Sequence, residues 1–252
     1  MEQDTHILAI TALDGAPEAQ QAALAAALGI AVFEARQRVL PPPPRVVATL
    51  ADPAAAARLA APLADAGFAP VVLRRGDCGD EDHRVVVRSF LFHPAGMRVE
   101  TRTGERHVVR FDGIRRLLQG QDFVRTEETR TKTRRRLDLG KAIATGGISI
   151  TRKEKTRTTT TREAGGPFLL VYAAGLPTLA FRETELQYQG LGNLVQPGRP
   201  ANFQRLVAEL RARAGAARWN GQLLTRAGQQ HVLGGVLAPE RDLDVALALL
   251  SL

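Results

Sequence analysis

The stretch VVVRSFLFHPAGMRVETRTGERHVVRF, residues 85–111, decides the fold, because its apolar residues recur at every second position and its breaks fall on turn formers. VVVRSFLFH, MRVET and RHVVRF read as three strands of a meander, with Pro94 and Gly96 marking one turn and Gly104 the next.

Upstream the period lengthens. HILAITAL is a first strand, PEAQQAALAAAL a helix stopped at Gly29, and AVFEARQRVL a second helix ended by Pro41 to Pro44. RVVATLA returns to strand. Asp52 and Pro53 then open the helix PAAAARLAAPLADAG, which Gly67 closes before the strand APVVLR. The order is βααβαβ over residues 1–75. The polar RGDCGDEDHR separates this unit from the meander, so a linker is expected at 76–84 and a second domain at 85–252.

Downstream of the meander, DGIRRLLQG reads as a short helical or turn element. Two long strands come next, around Thr129 and Thr151, then FLLVYAA, the turn GLP and TLAFRETELQY. ANFQRLVAELRARAG sets Phe203, Leu206, Val207 and Leu210 at helical spacing behind Asn202 as N-cap, and RDLDVALALLSL closes the chain with an apolar helix. The expected class is α+β: a two-layer βααβαβ domain, then an antiparallel barrel capped by a C-terminal helix.

Two resemblances accompany this order. Glu34, Ala35 and Arg36 in AVFEARQRVL, with Ala66 and Gly67 ending the later helix, resemble the C-terminal domain of the bacterial ribosomal stalk protein over roughly the first 75 residues. The resemblance implies a fold. It also implies a partner face, which here reduces to Phe33, Arg36 and Arg38, because the lysines of that family are missing. About seven strands followed by one amphipathic helix resemble the pleckstrin-homology-like fold by element order.

A chain of 252 residues with 44% hydrophobic residues has material for two modest cores. Aromatics are only 5%, so the core is chiefly aliphatic. A single cysteine, Cys78, excludes an internal disulfide, and MEQDTHILAI lacks the basic start of a signal peptide. PFLLVYAAGLPTLAF is broken by Gly175 and Pro177 and is short for a membrane span. A cytoplasmic location is the expectation.

The net charge of +8 is not spread evenly. Between Arg125 and Arg162, eight arginines and all four lysines of the chain stand against Glu127, Glu128, Asp138 and Glu154, so this window holds the whole excess. In TRTKTRRR and TRKEKTRTTTT the period is two and threonine is a strong β former, which makes the segment a strand pair rather than a tail. Adjacency in sequence pairs the strands and sets like charges side by side. Arg130, Lys132, Arg134, Lys153, Lys155 and Arg157 are the candidate binding residues. Two readings stay open: a surface for an anionic partner, or a solvated edge whose charges prevent aggregation.

Other chemistry weighs little. Five scattered histidines and one cysteine give no metal-ligand spacing, and no cofactor loop is present, because GKAIATGG has its lysine before the last glycines rather than after them. Asp77, Asp80, Glu81 and Asp82 miss the calcium-loop spacing. Cys78 with His83 reads as a solvent-exposed loop thiol. The expected function is a non-catalytic binding or scaffolding protein that engages an acidic protein surface or lipid headgroups. Nucleic acid ranks lower because the stretch has no aromatic for base stacking. The alternative is a structural subunit that assembles through the apolar VALALLSL, and an enzyme comes third.

Overall fold

A computed structural model describes residues 5–39, 42–78, 84–123, 125–137, 151–163 and 165–252, with the backbone alone described in 125–137 and 151–163. The fold is α+β, and the chain divides into two units, Met1–Asp122 with Gly165–Leu252 and Phe123–Ala164.

The first unit opens as the periods require: β1 (His6–Leu13), α1 (Pro17–Leu28), α2 (Val32–Val39), β2 (Arg45–Leu50), α3 (Pro53–Asp65) and β3 (Phe68–Arg74). The sheet order is β2-β1-β3, antiparallel throughout. Asp52 caps α3 by accepting from the Ala54 and Ala55 amides at 3.0 and 3.2 Å. Gly67 turns the chain with φ at 83°, and a Cβ there would lie 1.8 Å from the Asp14 carbonyl oxygen, so only glycine serves. After α4 (Arg75–Cys78) come β4 (Arg84–His93), β5 (Gly96–Thr101) and β6 (Arg106–Arg110), the meander as read.

Two expectations fail next. IRRLLQG is not helical but strand β7 (Ile114–Gln121), paired antiparallel with β10 (Pro167–Ala173). Leu117 and Leu118 enter different hydrophobic clusters on its two faces, and a strand buried on both sides has no alternation to betray it. The antiparallel barrel is also not formed. β11 (Thr178–Arg182), α5 (Arg199–Arg213) and β12 (Arg218–Leu223) complete an open, mixed sheet of order β12-β7-β10-β11-β4-β5-β6, in which β11–β4 and β12–β7 are parallel. The connection carrying α5 brings β12 alongside β7 in the same direction, as crossover helices do, and β12 extends an edge instead of closing a ring.

The anticipated helix does cover the sheet: Phe203, Leu206, Val207 and Leu210 of α5 pack with Leu117, Leu169 and Phe181. Asn202 is not its N-cap, which is Gly198; its amide instead brackets Gln196, accepting from the backbone N–H at 2.6 Å and donating to the carbonyl at 2.9 Å.

On the other face of the sheet lie α6 (Arg226–Val232) and α7 (Pro239–Ser251). Val245, Ala246, Leu247, Leu249 and Leu250 of α7 share one cluster with Leu118, Phe168 and Leu170 and with Ile7, Ala9 and Val46 of the three-stranded sheet. Leu8, Ile10 and Val47 face the opposite way, onto α1, α2 and α3. Helix α7 thus shares one core with both sheets, and that core joins elements on either side of the linker expected at 76–84. Val245, Ala246, Leu247, Leu249 and Leu250, most of the apolar segment read as an assembly contact, are each at most 6% exposed within their own chain, while Leu243 and Ala248 are partly buried and Leu252 is exposed. No helix among the described residues is long and apolar enough to cross a membrane.

Candidate anion-binding ribbon

The second unit holds β8 (Arg125–Leu137) and β9 (Thr151–Glu163), an antiparallel pair forming a sheet of its own. The register runs without a shift from Arg125 opposite Glu163 to Leu137 opposite Thr151. Thirteen residues per strand make a ribbon roughly 40 Å long at about 3.3 Å per residue.

This register places every candidate residue. Directly opposed residues share a face. Arg130, Lys132 and Arg134 lie opposite Thr158, Thr156 and Glu154 on one face, while Lys155 and Arg157 lie opposite Thr133 and Thr131 on the other, with Lys153 opposite Arg135. The six residues therefore fall into two triads, one per face. The expectation that like charges stand side by side holds at Arg135 with Lys153 and at Arg136 with Arg152; at four of the six candidates threonine separates them. The connection GKAIATGG lies outside the described residues.

The second unit is inserted between Asp122 and Gly165, and these two ends of the first unit lie side by side. Gln121 pairs with Pro167, and the Asp122 amide donates to the Gly166 carbonyl at 3.0 Å. A Cβ on Gly165 would fall 2.1 Å from the Asp122 carbonyl oxygen, so the two backbones approach closer than any side chain permits. Gln229 of α6, fully buried, donates from Nε2 to the carbonyls of Gln121 and Leu223 at 2.5 and 2.9 Å. Burial pushes the Asp122 carboxyl above the usual carboxylate range, with Asp244 adding to the rise and Arg182 opposing it. Sequence reasoning missed this juncture, and the glycine pair Gly165–Gly166 ahead of Pro167 was its only local signal.

The α2 residues are differently disposed. Phe33 is 70% exposed and Arg36 is exposed. Arg38 is engaged within the fold: its guanidinium donates to Glu34 one turn earlier at 2.7 Å and to the Val47 carbonyl at 3.0 Å, tying α2 to β2.

Cys78 corrects its reading as an exposed loop thiol. It is buried in α4, its Sγ 3.5 Å from the Arg74 carbonyl, and its pKa is pushed up to about 11, chiefly by burial and then by Asp77 and Asp244. His83, Asp80, Glu81 and Asp82 lie outside the described residues. Among the described residues no group of three His, Cys, Asp or Glu side chains could hold a metal ion. Comparisons with protein-family models, with curated proteins and with solved structures find no match to this chain.

Proposed function

We propose that the chain is a non-catalytic, cytoplasmic binding protein that engages an anionic partner through the β8–β9 ribbon. The observation that carries this reading is the coincidence of charge and form. The whole net charge of +8 falls between Arg125 and Arg162, the window of one strand pair without a register shift, while the rest of the chain is neutral. An isolated two-stranded ribbon is marginal in water, so a partner that neutralises its charge also stabilises its form.

Retention on an immobilised polyanion tests the reading. The full chain is expected to bind at low salt and elute only as ionic strength rises. A variant carrying glutamine at Arg130, Lys132, Arg134, Lys153, Lys155 and Arg157 is expected to pass through. Elution of that variant at the same salt concentration as the parent defeats the proposal.

A further inference from the structure

We infer that the anionic partner is double-stranded DNA, with the ribbon lying edge-on in a groove; this rests on the ribbon being the binding element. The register carries the step. It assigns Arg130, Lys132 and Arg134 to one face and Lys153, Lys155 and Arg157 to the other. A flat anionic surface, such as a bilayer or the side of an acidic protein, meets one face and leaves the second triad in water. A groove walled by phosphates on both sides meets both.

The dimensions agree. A sheet with its side chains occupies about 10 Å between neighbouring layers, and its paired strands lie about 4.8 Å apart. The major groove of B-form DNA is about 12 Å wide and about 8.5 Å deep, and it admits a two-stranded ribbon.

Composition narrows the partner further. Neither Arg125–Leu137 nor Thr151–Glu163 contains an aromatic residue, so unpaired bases have no stacking platform there and a duplex is favoured over a single strand. Arginine, lysine and threonine are phosphate-contacting types, and contacts to phosphate carry no sequence information. The major groove of A-form RNA is deep and too narrow for side chains to read, which points to DNA.

The test uses the full chain, a labelled 30-base-pair DNA duplex of arbitrary sequence and fluorescence anisotropy between 50 and 200 mM salt. With six phosphate contacts the affinity falls on the order of 10³-fold over that range. The triple variants R130Q/K132Q/R134Q and K153Q/K155Q/R157Q each lower the slope of log affinity against log salt by about 3. Far-UV circular dichroism of both variants establishes that their strands persist. Parallel arms use single-stranded DNA, duplex RNA, phosphatidylserine vesicles and polyglutamate. Binding of single strands or duplex RNA as tight as that of duplex DNA overturns the inference. So does binding of vesicles or polyglutamate without duplex, or dependence on one triad only; in those cases the ribbon remains the binding element. If no polyanion binds, or if both triads are without effect, the ribbon reading falls as well.

Discussion

Arg75, the first residue of α4, forms an ion pair with Asp242 of α7, 167 positions later in the chain. The Asp242 side chain is only 2% exposed, and its second carboxylate oxygen accepts from the Ala238 amide at 2.9 Å, fixing the entry to the helix. Arg84 repeats the link to Asp244 at 2.5 Å, and Arg116 of β7 donates to the Leu250 carbonyl. Three arginines from earlier elements thus fasten a helix whose apolar side chains share one core with both sheets.

Removing one member of such a pair is expected to cost more than the pair itself contributes, because a buried charge is left without a partner. Arg75→Ala strands the Asp242 carboxylate and should lower the unfolding free energy by about 3 kcal/mol in a urea titration. The double variant Arg75→Ala, Asp242→Asn leaves no buried charge and keeps an acceptor for the Ala238 amide. Part of the loss should return. A double variant as unstable as the single one contradicts this account of the pair.

Cys78 supplies the pH dependence. Its folded pKa of about 11 lies above the ordinary thiol value of 9.0, so between these values the unfolded chain loses its proton first. The folded state then holds more protons, and stability declines as pH rises through that window. Cys78→Ala should flatten the decline between pH 9 and 11. For the same reason, thiol labelling of the native protein at about pH 8 should be slow and should quicken only when urea unfolds the chain. Rapid native labelling would place the thiol in solvent.

Gly165→Ala tests the base of the ribbon. The added methyl meets the Asp122 carbonyl oxygen at 2.1 Å, a backbone atom that cannot swing aside, so the strand ends must part and the bond from the Asp122 amide to Gly166 weakens. Overpacking of this kind costs about 1 to 3 kcal/mol. The urea midpoint should fall accordingly, whereas the same change at Gly76, where nothing lies within 4 Å, should have little effect. Equal effects at the two positions would remove the close approach as the cause.

Much of the fold was legible because its signals are local. Asp52 ahead of Pro53, Gly29 and Gly67 after their helices, and the alternation across residues 85–111 each act within a few residues. The elements that escaped depend on distant partners. Leu117 and Leu118 are apolar on both faces because α5 covers one and α7 the other, a context that no window around β7 contains. The apolar face of α7 reads as surplus until both sheets are known to share its core. The six ribbon residues were legible as a set, since period and charge coincide in them. Their division between two faces required the register of one strand against the other, and spacing within a single strand does not fix that register.

The same register singles out Glu154. Arg130 and Lys132 lie opposite threonines, but Arg134 lies opposite Glu154, the one acid within the span of the candidate residues. Glu154→Thr extends the threonine pattern and raises the ribbon charge by one. Two effects of opposite sign are expected. Loss of an opposite-charge cross-strand pair weakens the ribbon by about 0.2 to 1 kcal/mol. Removal of the acid opposite Arg134 takes a negative charge away from the bound phosphates and tightens polyanion binding at low salt, while the slope stays that of six contacts. Tighter binding by a less stable ribbon separates a functional charge array from a merely solvated one. An unchanged affinity at low salt would mean that this face of the ribbon lies away from the bound polyanion.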